Sequence, residues 1–419
     1  MEKSLIKDMI IEYQNMVKEI KLVQRDVVLS DNFNYVFVGL RRAGKSYLMY
    51  WQIQHLLKKG HLLEEILYFN FEDDRLEDCT LSDLQLIKNC YEEMYEHTPI
   101  FFLDEVQQIT GWEKFVRRLA DQKYRVYVTG SNAKMLSSEI ATTLGGRFMI
   151  QEVFPYSFLE YLKVRDVEPD QFWYHRERVK IVRYFESYFI FGGLPELELA
   201  QDVEKRLWLS NLYNKIFFGD LVSRYEIRND TALKVLIRKL AESVKQPSSY
   251  NRMANIVSSS GKKITTDTVL DYLEYLKDTW LIFSLENLAA KLVDKETKKK
   301  YYFIDNGILN LFLTDPNTFL LENMVAIQLR RLYGDQVYYY SQDMEVDFLL
   351  WESHVAIQAC YSIRDQQTRE REINGLLSLP DNLEMAKMLI ITKDEEEIIE
   401  QNGKRIEVIP IWKWLIDGI

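Results

Sequence analysis

The residues best suited to chemistry in this chain occupy positions 39–46. They read GLRRAGKS and match the pattern G-x-x-x-x-G-K-[ST] at every fixed position. An apolar run at 36–38 precedes them and a helical segment follows, so the sequence predicts a strand, a glycine-rich loop and a helix. Such a loop wraps backbone N–H groups around phosphates at a helix N-terminus. A chance match in a turn would lack this context, and we predict a site for ATP with Mg²⁺.

Individual roles follow from the chemistry of the loop. Lys45 is expected to reach the outer phosphates, and the Ser46 hydroxyl is expected to ligate Mg²⁺. The predicted nucleotide-binding residues are Gly39, Arg41, Arg42, Ala43, Gly44, Lys45, Ser46 and Tyr47.

A second motif, Ile-Phe-Phe-Leu-Asp-Glu, occupies positions 100–105. A buried strand would deliver Asp104 at its carboxyl end, where it can ligate Mg²⁺ directly or through water. The adjacent Glu105 can then orient and deprotonate the attacking water. A strand that ends in solvated acids is the alternative, and the glycine loop upstream favours the functional interpretation.

Two further candidates concern the transferred phosphate. An apolar strand at 125–129 leads to Ser131 and Asn132, either of which could sense the γ-phosphate or position the water. For one of these two residues the alternative is a helix cap. Arg147 follows a pair of glycines and could reach a phosphate in its own chain or in a neighbouring copy, with a structural ion pair as the alternative. The predicted catalytic residues are Glu105, Lys45, Asn132 and Arg147.

Composition limits the classes of protein that fit. A length of 419 residues predicts roughly two to four domains. No apolar run reaches the ~18 residues of a membrane span, and the start MEKSLIKDMI lacks the apolar core of a signal peptide, so a cytoplasmic location is expected. Three cysteines without C-x-x-C spacing support neither a disulfide framework nor a zinc site. The net charge of −11 disfavours a protein that coats nucleic acid with its whole surface.

The elements around these motifs suggest five segments. Residues 1–30 are predicted to form an N-terminal helix whose apolar stripe docks on the nucleotide domain, and residues 31–155 the nucleotide-binding core. Residues 156–231 are interpreted as a helical lid with a break at Gly192-Gly193. The stripe of the first helix consists of Leu5, Met9, Tyr13, Met16, Ile20 and Val23.

Residues 232–305 have the pattern of a winged helix, with three helices followed by two strands. The third helix, at 266–277, would be the recognition helix. Phosphate contacts would come from Lys262, Lys263 and the lysines at 298–300. That helix also carries Asp267, Asp271, Glu274 and Asp278, which would face phosphates poorly, so packing within the protein or against a partner is the favoured alternative.

Residues 306–419 are predicted to form another α/β domain. Glu322, Asp347 and Gln358 are spaced as in a metal-dependent nuclease, whose chemistry requires carboxylates for Mg²⁺ and a lysine beside the reacting water. Where that lysine is expected the chain reads Gln358-Ala359-Cys360, and a neutral thiol cannot supply the charge. Without a migrated Arg or Lys, the site is expected to be degenerate and nuclease activity is not expected.

Taken together, the motifs resemble those of the bacterial and archaeal ATPase family that combines an AAA-type nucleotide domain with a C-terminal domain called DUF4143. The resemblance spans nearly the whole chain. It implies an α/β fold with a parallel-sheet P-loop core of the RecA/AAA-like ASCE class, related to STAND-type ATPases, a winged helix, and a restriction-endonuclease-like, PD-(D/E)XK-like C-terminal domain. The matching stretches are GLRRAGKS, FFLDEVQ, VTGSN, LGGR, FPYSFLEYL, FGGLPE, YYFIDNG and EVDFLL.

Three functions remain open at this point. The first is an ATP-hydrolysing switch that couples nucleotide state to the C-terminal domains. The second is an ATP-regulated DNA-binding or DNA-processing protein, and the third is an ATP-binding assembly module with negligible turnover. Besides ATP, the candidate partners are a second copy of the chain and an unidentified protein; DNA is disfavoured and no membrane is expected.

Overall fold

The computed structural model of the chain describes residues 1–130, 143–169, 173–261, 263–380 and 383–418. Three residues singled out in the sequence, Ser131, Asn132 and Lys262, lie outside these ranges. The chain divides into two units. The first comprises Met1–Phe154 with Asp278–Trp280, and the second comprises Pro155–Lys277 with Leu281–Ile419.

The first unit is built on a parallel sheet of five strands in the order β2-β3-β4-β1-β5. Its central strands are buried along almost their whole length, as expected for a parallel sheet that helices cover on both faces. Its strands are β1 Asn34–Val38, β2 Ile66–Asn70, β3 Ile100–Asp104, β4 Arg125–Gly130 and β5 Phe148–Glu152. Its helices are α1 Lys3–Glu19, α2 Lys45–Lys58, α3 Leu81–Met94 and α4 Trp112–Asp121.

Strand order decides which loops meet. Strand β4 lies between β1 and β3, as expected for ATPases that use a catalytic glutamate. All neighbouring pairs in this sheet run parallel, so the carboxyl ends of β1, β3 and β4 lie at the same edge. The glycine loop and the acidic pair at 104–105 are therefore brought to one place.

Helix α1 packs on this unit, but its buried face differs from the predicted stripe. Met9 and Tyr13 are buried as predicted, whereas Met16 is 37% exposed and its neighbour Val17 is fully buried. The helix ends at Glu19, so Ile20 and Val23 of the predicted stripe lie beyond it. The Tyr13 hydroxyl donates to Asp73 at 2.7 Å, which fixes the helix beside the end of β2.

The second unit contains a mixed sheet of nine strands in the order β13-β14-β12-β11-β10-β9-β7-β8-β6. Its strands are β6 Ser248–Ser249, β7 Ile282–Asn287, β8 Lys298–Phe303, β9 Tyr338–Ser341, β10 Glu345–Leu350, β11 Val355–Ala359, β12 Lys387–Thr392, β13 Glu397–Gln401 and β14 Lys404–Pro410. Its helices are α5 Phe158–Lys163, α6 Trp173–Arg176, α7 Arg178–Phe191, α8 Asp202–Lys215, α9 Asp230–Ala241, α10 Tyr250–Ser259, α11 Thr266–Asp278, α12 Leu292–Thr297, α13 Asn306–Asn310, α14 Asn317–Tyr333, α15 Gln366–Leu377 and α16 Ile411–Asp417.

This sheet is continuous across two segments that the sequence suggests are separate. The antiparallel pair β7 and β8 joins the rest through a short parallel pairing of β7 with β9, at Glu286 with Tyr338 and Asn287 with Tyr339. At the far end, β13 and β14 form a hairpin that turns at Asn402-Gly403, where both residues have positive φ. Within the described ranges, no helix combines the length and the apolar character that crossing a bilayer would require.

The break predicted at Gly192-Gly193 is present and has a steric cause. Helix α7 ends at Phe191, and Gly192 has a φ of 76°. A Cβ on Gly193 would lie 2.3 Å from the carbonyl oxygen of Tyr156. The Asp305 carboxylate accepts a hydrogen bond from the Gly193 N–H at 2.9 Å and also caps α13. Burial raises the pKa of Asp305 to about 6, so this carboxyl is a titratable link between two helices.

Candidate nucleotide site

The glycine loop turns sharply between β1 and α2. Gly39 has a φ of 151°, and a Cβ there would lie only 2.3 Å from the carbonyl oxygen of Val153, just after β5. Gly44 adopts the left-handed conformation at the N-cap of α2, and Arg42 is also left-handed with a φ of 66°. Left-handed backbone is strained for a residue with a side chain. The loop therefore has the backbone form of an anion-binding turn that leads into a helix N-terminus.

Lys45 is buried at the start of α2. Its ammonium donates to the carbonyl oxygens of Gly39 at 3.1 Å and Leu40 at 3.2 Å, and lies 3.9 Å from the Glu105 carboxylate. Burial lowers the pKa of Lys45, while Glu105 and Asp104 oppose the change. A buried ammonium held mainly by neutral carbonyls is well suited to meet an anionic phosphate.

Asp104 lies at the carboxyl end of β3 and is almost completely buried. Its carboxylate accepts hydrogen bonds from the Thr129 hydroxyl and, at 2.7 Å, from the Tyr68 hydroxyl. Burial and then the nearby Glu105 raise its pKa, while hydrogen bonds from Thr129, Ser46 and Tyr68 oppose this. Ser46 and Asp104 thus lie within hydrogen-bonding reach. A carboxylate and a hydroxyl beside the phosphate loop fit the oxygen ligands that Mg²⁺ prefers.

Glu105 is held in an unusual backbone conformation. Its φ of 52° and ψ of 38° are left-handed, and its N–H donates to the Thr129 hydroxyl oxygen at 2.8 Å. The Gln107 side chain donates to its carboxylate. Strained residues held by several contacts cluster at functional sites. The carboxylate is therefore positioned near Lys45 by its surroundings.

Sequence reasoning brought together Lys45, Ser46, Asp104 and Glu105, and missed three residues that support them: Thr129, Tyr68 and Gln107. Thr129 bridges both acids because the pairing of Leu103 with Val128 places it beside Asp104. The sequence signal for Thr129 was its position as a polar residue near the end of an apolar strand. Tyr68 gave no such signal, since it reads as one more aromatic residue in a buried strand.

Arg147 does not join the loop within its own chain. It lies at the amino end of β5, where its carbonyl oxygen accepts from Asn34 at 3.2 Å. The phosphate loop begins at the opposite end of β1, about 13 Å away at the usual rise along a strand. Its side chain pairs with Asp121 at 2.5 Å. The prediction of a phosphate contact in cis is therefore wrong, because the parallel sheet places this residue at the other edge.

Other predicted loop residues differ in their surroundings. Arg41 forms an ion pair with Glu72 at 3.5 Å. Ala43 is completely buried. Tyr47 is 54% exposed and stacks edge-on against Tyr50.

The second predicted site also assembles, and it contains a lysine. Glu322 on α14, Asp347 on β10 and Gln358 on β11 line a cavity of about 690 Å³. Lys300 on β8 lies among the same acids, so a lysine from another strand is present although the motif position holds Cys360. Cys360 is neutral as expected, since burial raises its pKa to about 12 and its thiol donates to the Ser362 carbonyl oxygen.

The basic face predicted for DNA is small among the described residues. Lys300 is completely buried, and Lys299 pairs with Glu286 at 2.9 Å. Lys263 and Lys298 are exposed. The lysines at 298–300 therefore do not form one phosphate-binding cluster, because Lys300 is buried and successive residues of a strand point to opposite faces.

Comparison with known proteins agrees with the geometry of the first unit. Residues 31–162 match the family described as AAA domain, residues 182–318 match the domain of unknown function DUF8612, and residues 317–414 match DUF4143. The DUF8612 match crosses the boundaries that we predict at 231/232 and 305/306, which stay predictions.

Similar proteins extend over the whole chain. An uncharacterized protein of Methanocaldococcus jannaschii is 32% identical over 428 residues, covering 99% of this chain and 95% of the relative. An uncharacterized protein of Haemophilus influenzae is 29% identical over 414 residues, covering 96% and 99%. Among solved structures, a Walker-type ATPase of Pyrococcus abyssi covers 71% of this chain and 99% of its own, with 14% identity and a TM-score of 0.41.

The phosphate loop, the acidic pair and the strand order define a P-loop nucleotide-binding domain of the AAA type. The chain belongs to the family of AAA-type P-loop ATPases with a C-terminal DUF4143 domain.

Proposed function

We propose that this chain is an Mg²⁺-dependent ATP hydrolase that works as a nucleotide-controlled switch. The observation that carries the proposal is the placement of Glu105. Its carboxylate lies 3.9 Å from the Lys45 ammonium, and Thr129 links its backbone to the neighbouring Asp104. An acid held beside the phosphate loop in this way is suited to act as a general base.

Each residue then has one role in hydrolysis. Lys45 and the loop N–H groups hold the outer phosphates, and Asp104 with Ser46 would hold Mg²⁺, which supplies positive charge for the phosphate oxygens. Glu105 orients a water molecule and accepts its proton as the water oxygen attacks the γ-phosphorus. The bond to the leaving oxygen of ADP breaks in the same displacement.

The switch part of the proposal rests on how the loop is supported. Gly39 packs against Val153, which lies just before the chain enters the second unit at Pro155. A shift of the phosphate loop on nucleotide binding would therefore push against the carbonyl oxygen of Val153. From there the chain enters the segment at 156–231, which begins with α5 and for which we propose the role of the lid.

For the second unit we propose a winged helix at 232–305. In support, the elements follow in the order helix α9, strand β6, helices α10 and α11, and a strand pair of β7 and β8 that the short helix α12 connects. The burial of Lys300 and the pairing of Lys299 weigh against DNA as its partner. We therefore propose that it transmits the nucleotide state through protein contacts.

An ATPase assay tests the catalytic proposal. Glu105→Gln should lower kcat by about 10²–10⁴, the usual contribution of a general base, with a small effect on ATP affinity. Lys45→Ala provides the blank. Glu96→Gln is the matched control, since it makes the same change at an exposed position of the same unit. A Glu105→Gln variant with an unchanged rate would show that Glu105 is not the base.

A second measurement separates the switch from the assembly module. The size of the protein in solution is compared with and without a slowly hydrolysed ATP analogue. Negligible turnover by the unaltered chain, together with assembly that depends on the analogue, would replace the hydrolytic proposal by the module.

A further inference from the structure

The cavity in the second unit is lined by the residues of a predicted metal site, and a buried lysine contacts the acids among them. We propose that Lys300 is the permanent cation of this cavity, in the place where a nuclease with the predicted arrangement would hold a divalent metal ion. The cavity would then be a metal-independent ionic lock between β8, α14 and β10.

The position of the Lys300 ammonium carries this proposal. The side chain is completely buried, and its Nζ contacts three carboxylates from two different elements. The distances are 3.3 Å to Glu322, 2.7 Å to Glu345 and 3.0 Å to Asp347. In the nuclease arrangement the lysine lies beside the reacting water, whereas here the ammonium contacts the carboxylate oxygens that would ligate the metal ion. A dication bound by the same oxygens would be repelled by this ammonium, because the repulsion between like charges is strong in a buried site.

The predicted ligands are also engaged by the protein. Asp347 accepts from Lys300 with one oxygen and from the Ala359 N–H, at 3.0 Å, with the other. The Gln358 amide is used at both ends: its oxygen accepts from the Asp347 N–H and its nitrogen donates to the Glu345 carbonyl oxygen. Gln358 thus extends the pairing of β10 with β11 and is not free to bind a metal ion.

This site differs from the nucleotide site in the donors that surround the carboxylate. Asp104 is held by neutral hydroxyls, which can turn towards other acceptors, whereas Asp347 is held by an ammonium and a backbone amide. Within the described ranges, no group of three or more His, Cys, Asp or Glu side chains is arranged to hold a metal ion. The residues of the cavity therefore do not fit a resident divalent metal.

The neighbouring acids stabilise the charge of Lys300. Burial lowers the pKa of Lys300, but Glu322, Tyr302 and Asp347 more than offset this and keep the ammonium charged. Burial and then Asp347 raise the pKa of Glu322 to about 8, while Lys300 opposes this change.

Terbium luminescence can test this inference in the full chain. An Asp104→Asn background weakens metal binding at the nucleotide site, and no nucleotide is added. Tb³⁺ is the probe because nearby tyrosines sensitise its emission, and the Tyr302 hydroxyl lies 2.9 Å from the Glu322 carboxylate. In this background, adding Asp347→Asn should leave the emission unchanged as long as Lys300 is present.

Replacing the ammonium should open the site. Lys300→Met keeps most of the side-chain volume and should produce a gain in emission that Asp347→Asn removes. Lys299→Met is the matched control, since it changes the neighbouring lysine of the same strand, which pairs with Glu286. This control should behave like the parent protein.

Two results would overturn the inference. Emission that depends on Asp347 while Lys300 is present would show that the carboxylates already hold a metal ion beside the lysine. A folded Lys300→Met variant without any emission that depends on Asp347 would show that the ammonium does not replace a cation. If Lys300→Met does not fold, the comparison of Asp347→Asn with its parent still decides the question.

Discussion

Thr129 offers the sharpest test of how the nucleotide site is organised. Its hydroxyl donates to the Asp104 carboxylate and accepts from the Glu105 N–H, so one oxygen fixes both acids. Thr129→Val keeps the shape of the side chain and removes both hydrogen bonds. A lost bond to a charged group costs about 1.5–3 kcal/mol, and an unpaired buried N–H costs about 1–3 kcal/mol. Because the two losses share one group, we expect the free energy of unfolding to fall by on the order of 3 kcal/mol.

The same substitution should affect catalysis in a specific way. If the substitution raises the activation free energy of hydrolysis by about 1.4 kcal/mol, kcat falls about tenfold. Thr129 lowers the pKa of Asp104, so its removal raises that pKa further and the ionised carboxylate is lost at a higher pH. We therefore expect weaker apparent Mg²⁺ affinity and an acid limb of the kcat profile that moves to higher pH.

Steady-state ATPase kinetics at several Mg²⁺ concentrations and pH values would measure these effects. Thr129→Ser is the matched control, since it keeps the hydroxyl and should retain the pH profile and most of kcat. If the valine variant folds and matches the serine variant in kcat, Mg²⁺ dependence and acid limb, the hydroxyl does not organise the site as argued.

Two further predictions concern the backbone and pH. Gly39→Ala would place a Cβ 2.3 Å from the Val153 carbonyl oxygen, so we expect a loss of about 1–3 kcal/mol in unfolding free energy and weaker ATP binding. Gly219→Ala, which meets nothing within 4 Å, is the control, and equal effects in thermal unfolding would contradict the argument. The pKa of Asp305 is raised to about 6 in the folded chain, compared with about 4 in the unfolded chain. Folding therefore favours the protonated carboxyl, so the contribution of Asp305 to the free energy of unfolding is full below pH 4 and is lost as the pH rises through 6. Urea unfolding at several pH values should show this decline in unfolding free energy, by about 3 kcal/mol, and Asp305→Asn should remove it. If the unfolding free energy depends on pH in the same way in both proteins, Asp305 is not the source.

Features that depend on contiguous residues could be predicted from the sequence. The glycine loop, the strand that ends in Asp104-Glu105 and the Asn402-Gly403 hairpin each fall within a few residues, and the backbone conformation of such turns is fixed locally. The buried face of α1 was predicted less well. The predicted stripe extends to Val23, whereas the helix ends at Glu19 and buries Val17 instead of Met16.

Features that depend on strand register could not be predicted. Thr129 and Tyr68 reach Asp104 only because three strands lie side by side, and their separations from it along the chain are 25 and 36 residues. Lys300 is 22 residues from Glu322 and 47 from Asp347. A motif search expects the lysine next to the strand acid, so it finds Cys360 and misses the lysine that the sheet brings from β8.

The pairing of β7 with β9 has a practical consequence for dissecting this protein. A chain cut after residue 305 would lose β9 and leave one edge of β7 with unpaired N–H and C=O groups, which favours aggregation. The same cut would separate Lys300 from Glu322 and Asp347, leaving a lone ammonium on one fragment and facing carboxylates on the other. We expect that neither fragment is soluble by itself. Gene fusions and domain exchanges should therefore keep residues 232–418 together as one undivided segment.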